Sequence, residues 1–382
     1  VKEEPSHLNA LHESSVHTHM AQENIELVML EDTEGRRDPT IRYLVNHPGD
    51  ALLFLPTPEL STPLLVPWDV NLAKTLVSGS CTVIPYTDFE RNPFKALRGV
   101  INYLKLPEGS KIEIPSSTPY PVFLKYVELF PDYDIICREH GTSEVVTHAR
   151  AVKKIDEITK IQRACEITNE IIVELEERIG AGFLTTEVDI ALFIEKRGRE
   201  LGGEGTGFET LVAGSQRSWG IHAFPTYTSE SFGTQGLSII DFGIKYQGYT
   251  SDVTLTIARG PLNKAQEKML KLVEKAYKLA LSMAAPGIPT RDIARAVDDL
   301  FAKSKMNMPH ALGHGIGLEA HEAPAIRNRS DNDWVLENGM VFTLEPGLYH
   351  SDHGGCRLEN DILLINGKAE ELTQARIIRI PE

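Results

Sequence analysis

Leu237-Ser-Ile-Ile-Asp-Phe-Gly-Ile-Lys-Tyr-Gln-Gly-Tyr-Thr-Ser-Asp-Val-Thr-Leu-Thr-Ile257 consists of two alternating, β-branched halves around a polar, glycine-containing turn. Period-two alternation with a short polar break reads as a β-hairpin. With the turn centred on Tyr246-Gln247, facing residues have numbers that sum to 493, and Asp241 stands opposite Asp252. Directly opposed residues hold their Cβ atoms about 4.5–5.5 Å apart, and like charges there are destabilising unless something neutralises them. Aspartates at strand ends usually cap turns, but both of these are flanked by apolar strand residues. A divalent cation would neutralise such a pair.

A second pair follows the same logic. Glu345 in Phe342-Thr-Leu-Glu345-Pro-Gly and Glu359 in Cys356-Arg-Leu-Glu359-Asn-Asp face each other in a hairpin centred on Asp352. Between the two pairs runs His310-Ala-Leu-Gly-His314-Gly-Ile-Gly-Leu-Glu-Ala-His321-Glu322-Ala-Pro. Its glycines at 313, 315 and 317 argue against a regular helix and allow close backbone approach. Neutral imidazole, as at His314, is a good ligand for a divalent metal. His321-Glu322 does not begin the zinc-peptidase HExxH helix, because Pro324 and Ala325 follow. Four carboxylates with one imidazole form an oxygen-rich set that suits Mn, Co, Zn or Fe in pairs better than one structural zinc. Two such ions can activate a shared water and clamp a carbonyl, so the chemistry implied is hydrolysis.

The surrounding pattern is α+β. Apolar residues at helical spacing run through Lys153–Ile179, a glycine break follows at Gly180–Gly182, and Thr186 opens a second helix through Leu201. The layout recurs: a helix over Lys264–Met283 ends at Ala284-Ala-Pro-Gly287, and Thr290 starts another through about Lys305. Two helix–break–helix units, each leading into strands, predict an internally duplicated domain over residues 151–382. Residues 1–150 differ in texture. Strand-length runs at Ile25–Leu30, Ala51–Leu55, Leu64–Val66 and Thr82–Ile84 alternate with helical stretches at Phe94–Leu104 and Tyr120–Leu129. This reads as a smaller α/β domain with no cluster of His, Asp or Glu resembling a site.

A length of 382 residues favours two domains. The net charge of −15 argues against nucleic acid or an anionic membrane as partner. The cysteines at 81, 137, 165 and 356 form no CxxC motif and too sparse a set for a disulfide framework, which predicts a reducing, cytoplasmic setting. No apolar run of membrane-spanning length and no signal-like N-terminal segment is present, so no membrane association is expected.

The order Asp241, Asp252, His314, Glu345, Glu359, with these flanking residues, resembles the pita-bread metallopeptidases: methionine aminopeptidases, Xaa-Pro aminopeptidases and Xaa-Pro dipeptidases (prolidases). The resemblance covers about residues 151–382, and residues 1–150 resemble the N-terminal domain of the proline-specific branch and of creatinase. It implies a duplicated pita-bread catalytic domain with two divalent metals, manganese first, held by those five residues. Glu345 would also shuttle a proton, His222 contact substrate, His321 steady the tetrahedral oxyanion and His310 line the site, while Arg357 and Tyr349 orient the ligands. It further implies a homodimer acting on short peptides with proline second. The separate N-terminal domain favours proline specificity. Some family dipeptidases carry Arg directly after the His-Glu-x-Pro stretch, where this chain has Ala325 with Arg327 two residues on. That departure favours an Xaa-Pro aminopeptidase, with a prolidase as the alternative. A creatinase-like non-peptidase or a non-catalytic relative is a further alternative, and both of those have lost the metal ligands that stand here.

Overall fold

The computed structural model describes residues 9–77 and 81–381. They form two compact units, residues 1–150 and 151–382.

In the first unit a mixed six-stranded sheet has the spatial order Thr82–Val83, Leu64–Pro67, Ala51–Pro56, Leu27–Asp32, Lys111–Glu113, Asp134–Ile136. The central strands are buried along nearly their whole length, as expected of a sheet covered on both faces. Leu27, Met29, Leu52 and Phe54 enter one core, and Val28, Leu30, Leu53 and Leu55 enter the other. Helices Pro93–Leu104 and Tyr120–Leu129 lie close to their predicted positions.

The second unit is built on two helix pairs, Ile155–Gly180 with Glu187–Glu200 and Lys264–Met283 with Thr290–Lys303. Local signals start and stop them. Thr186 Oγ1 accepts from Asp189 N at 3.2 Å while Asp189 Oδ2 accepts from Thr186 N at 3.1 Å, a reciprocal cap. Asn263 and Gln266 make the same exchange at the third helix. Gly182 and Gly287, at φ +75° and +86°, supply the left-handed turns between the members of each pair.

The apolar faces of all four helices enter one core with the strands they cover. One sheet has the order Ile377–Ile380, Val253–Arg259, Gly236–Phe242, Leu211–Ala213. The other has the order Glu322–Ile326, Gly313–Gly315, Val341–Leu344, Asn360–Ile365, Lys368–Glu371. They meet where Thr254 bridges Glu359. Matched helix pairs leading into joined sheets are the duplicated α+β architecture of the pita-bread fold. Among the described residues no helix is long and apolar enough to cross a membrane.

One predicted register is corrected. Asp241 pairs with Thr254 and Phe242 with Val253, so facing residues sum to 495 and not 493. The turn is Gln247-Gly248, both at positive φ (46° and 86°), between paired Tyr246 and Tyr249. The hairpin turn that matches the strand twist needs left-handed central residues, which Gln247-Gly248 supplies with a glycine and the other register would demand of Tyr246, a bulky residue that resists it. Asp252 therefore lies diagonal to Asp241, still on the same side of the sheet because residues two apart share a face. The second hairpin keeps its predicted register: Leu344 pairs with Asn360 and Gly347 with Arg357, both centred on Asp352.

The glycines around His314 are required by close approach. A Cβ at Gly313 would sit 2.0 Å from Thr343 O, and one at Gly315 would sit 2.0 Å from Ala323 O. Gly313→Ala is expected to destabilise the protein by about 3 kcal/mol, since a central strand must move to admit one methyl. The shift in denaturation midpoint measures this, and an unchanged midpoint would contradict the packing described.

Candidate active site

The strands that meet at the Thr254–Glu359 bridge turn their polar residues into a cleft of about 390 Å³. Asp241, Asp252, His314, Glu345 and Glu359 line it, with His222, His310, His321 and Arg357. Asp252, His314 and Glu359 each place one ligand atom within 4.8 Å of the other two. Glu345 joins through His314, whose Nε2 is 3.5 Å from Glu345 Oε1 and 3.8 Å from Asp252 Oδ2. Asp241 is held from the other side: Arg357 Nη2 donates to its Oδ2, and Oδ1 is buried with no hydrogen-bond partner.

Arg357 ties the cluster together. Only 2% exposed, it donates through Nε to Thr254 Oγ1 at 2.8 Å and through Nη1 to Tyr349 OH at 2.9 Å and Ile221 O at 3.2 Å. Tyr349 OH is also 3.0 Å from His310 Nε2, so the predicted pair Arg357 and Tyr349 reaches His310 as well as Asp241. Thr254 Oγ1 donates to Glu359 Oε2 at 2.6 Å, which links a carboxylate of one sheet to the guanidinium. His321 lies beside His314, ring centroids 4.2 Å apart.

The electrostatics follow from this crowding. Burial, then repulsion from Glu359 and Asp241, pushes the Asp252 carboxyl well above its ordinary range. Burial and the neighbouring Glu359 do the same to Glu345. Glu359 is raised to about 7 by burial and by Asp241, against the pull of Arg357. The imidazoles move the other way. Burial lowers His314 to about 3, with His321 adding to the effect, and burial together with Arg357 lowers His310 to about 4. Near neutral pH the site offers neutral imidazole beside carboxylates that hold protons only for want of a counter-charge. Oxygen donors, one neutral nitrogen and an unpartnered buried acceptor on Asp241 form a set that fits divalent cations.

Four contributors had not been singled out in the sequence. Thr254 follows Asp252 on the same strand face, so period two was a usable signal. Asp361, wholly buried, accepts from Asp252 N at 3.0 Å and Cys165 Sγ at 3.4 Å and fixes the backbone of a candidate ligand from below. Glu187, 1% exposed, accepts from Gly214 N and Thr228 N, both at 2.8 Å, from Thr228 Oγ1 at 2.7 Å and from Arg217 Nε at 3.1 Å. One carboxylate thus clamps both ends of the loop that carries His222. Glu209 lines the cleft wall beside Thr226. In sequence Asp361, Glu187 and Glu209 look like ordinary strand-end or surface acids.

The fold is a pita-bread scaffold, and the cluster in it is a candidate metal site of the kind that supports hydrolysis. The family model for metallopeptidase family M24 matches residues 159–366. The Xaa-Pro dipeptidase of Pyrococcus horikoshii is 32% identical over 285 residues, covering 74% of this chain and 78% of that protein. Among solved structures, the recombinant prolidase of Thermococcus sibiricus aligns with a TM-score of 0.81 and 27% identity, over 97% of this chain and 98% of that one. The X-Pro aminopeptidase of Thermotoga maritima aligns with a TM-score of 0.82 and 26% identity, over 97% and 99%. The chain belongs to metallopeptidase family M24. Membership implies a divalent metal, and the carboxylate–imidazole cluster is where these residues would hold it.

Metal affinity is expected to rise with pH through about 7, because Glu359 must lose its proton to bind while His314 is already neutral above about 3. The sign is set by proton release: adding Mn²⁺ at pH 6 in weak buffer should acidify the solution, and Glu359→Gln should release fewer protons. Affinity that stays flat from pH 5 to about pH 8 would contradict the site's electrostatics.

Proposed function

We propose that the protein is a two-metal Xaa-Pro dipeptidase, hydrolysing the bond between an N-terminal residue and a C-terminal proline. The observation that carries this reading is Arg327 in the cleft. Ala325 pairs with His314 on the edge strand Glu322–Ile326, and Arg327 lies two residues further on. Residues two apart on extended backbone face the same way, and both line the cleft. Arg327 Nε is buried without a hydrogen-bond partner, and Nη2 lies 3.9 Å from Asp331 Oδ2. A guanidinium so placed suits the free carboxylate of a terminal proline. The sequence alone favoured longer substrates because position 325 is Ala; this geometry and the curated dipeptidase relatives favour the alternative.

Asp241, Asp252, His314, Glu345 and Glu359 would hold the metals, manganese first, in the pita-bread domain of residues 151–382. Bound there, the ions would polarise the scissile carbonyl and lower the pKa of the attacking water. The chain's own residues then do the following. Glu345, whose Oε1 lies 3.5 Å from His314 Nε2 at the cluster, takes a proton from the water as its oxygen adds to the carbonyl carbon. It passes that proton to the proline nitrogen, which carries no hydrogen of its own in the tertiary amide, as the C–N bond breaks. His321, kept neutral by burial, donates to the developing oxyanion. His222 contacts the substrate from the loop that Glu187 clamps, and His310 bears on Glu345, 3.7 Å from its Oε2. The creatinase-like domain of residues 1–150 and a homodimeric state belong to the same reading by resemblance; a cytoplasmic setting rests on the four cysteines, whose free thiols fit a reducing compartment.

The deciding experiment strips the metal, restores Mn²⁺ and times hydrolysis of Ala-Pro beside Ala-Pro-Ala. Cleavage of Ala-Pro is expected, and Arg327→Met should raise its KM about tenfold, the worth of one charge-assisted contact. Cleavage of the tripeptide alone would make the protein an aminopeptidase instead. Asp252→Asn, which removes a charge without changing size, should abolish turnover while the thermal unfolding transition remains. Normal turnover in that variant would remove Asp252 from the site.

A further inference from the structure

Glu209 is an acid in the cleft wall without a cation. Its Oε1 accepts from Thr226 Oγ1 at 2.9 Å, yet it makes no ion pair among the described residues. It immediately precedes the Thr210 that leads into Leu211–Ala213, the outer strand of the four-stranded sheet. Arg327 follows Glu322–Ile326, the outer strand of the five-stranded sheet. The two sheets join at Thr254–Glu359, so the acid and the guanidinium come from opposite outer edges with the carboxylate cluster between them. A dipeptide whose carboxylate lies at Arg327 and whose scissile bond lies over the cluster extends its first residue toward Glu209. Phe208, Leu211 and Ile221 line the cleft beside that acid.

We propose that Glu209 makes the enzyme prefer a basic residue, Arg or Lys, ahead of the proline. The wall suits such a side chain in two parts. The methylene stem lies on Leu211 and Ile221 with the charged head left near water, as long basic side chains pack elsewhere. The head meets the Glu209 carboxylate, which has no cation among the described residues, and the neighbouring Phe208 ring, each able to attract a cation. The assignment rests on the dipeptidase reading, since Arg327 sets the direction in which the substrate lies.

The test compares Arg-Pro with citrulline-Pro, which matches it in shape and lacks the charge, and includes Leu-Pro as reference. Citrulline-Pro should have a kcat/KM about fivefold lower than Arg-Pro, the size expected of one solvent-exposed ion pair, with the difference in KM. The preference should shrink as salt is raised. In Glu209→Gln, whose amide oxygen still accepts from Thr226, the two substrates should become equal. Equal rates in the unaltered enzyme, or a preference that survives in Glu209→Gln, would overturn the role of Glu209 while leaving the dipeptidase reading intact. Failure to cleave any of the three would overturn that reading and this inference with it.

Discussion

The second unit is organised around a repulsion. Asp241, Asp252, Glu345, Glu359 and Asp361 converge where two sheets meet, with Arg357 the cation among them. Two like charges about 4 Å apart repel by about 4 kcal/mol at an effective dielectric constant of 20. That exceeds what a single surface contact returns and is a large share of a domain's net stability. A cluster of this kind persists only if protons or metal cations offset it, and the upward shifts of Asp252, Glu345 and Glu359 are the proton-bound form of that answer. Arg357 meets part of the demand at Asp241, leaving the remainder for ions that bring more charge in less space.

The scaffold is shaped to hold those charges in register. Close backbone passage at Gly313 and Gly315 brings the His314 strand against Thr343 and Ala323 without side chains between. Thr254 and Thr256 stitch the sheets: one hydroxyl links Glu359 to Arg357, and the other both accepts from Arg357 N and donates to Arg357 O, at 3.0 and 2.7 Å. The same guanidinium grips Ile221 O, next to His222, and through Tyr349 reaches His310. With Glu187 closing the base of the loop, the stretch that carries His222 is held by a buried carboxylate and a buried guanidinium, as hydrogen bonds behind the ligands orient metal sites generally.

Much of this was legible because it is local. Helix starts at Thr186 and Asn263 and the breaks at Gly182 and Gly287 follow from capping and left-handed turns within a few residues. The Glu345–Glu359 register was readable because the hairpin is symmetric about Asp352. The Asp241–Asp252 register was not, since it depended on which two residues adopt the left-handed turn, and Gln247-Gly248 prevailed over Tyr246-Gln247. Glu187 and Asp361 stayed hidden for a different reason. Their partners are Gly214, Thr228, Cys165 and Asp252, 27 to 196 residues away, and no spacing rule announces a carboxylate whose role is to satisfy distant backbone N–H groups. Glu209 is hidden by its ordinariness, an exposed acid whose meaning lies in the wall it occupies.

The placement of Arg327 gains force from the same electrostatics. A substrate that ends in a carboxylate must approach a cluster of acids in a protein of net charge −15. Screening at physiological salt acts over about 8 Å, so the acids at the bottom of the cleft are still felt by a ligand in contact with them. Without a cation the terminal carboxylate would be repelled from the geometry that hydrolysis needs. Position 325 lies directly opposite His314 and is Ala here, so it offers no cation. Two residues further on, about 6.6 Å along an extended chain, the cation keeps its cleft-facing direction and its loose partner is Asp331, outside the cluster. On the proposed dipeptidase reading, Arg327 supplies the guanidinium that position 325 lacks, held only at 3.9 Å by Asp331 and able to meet a terminal carboxylate.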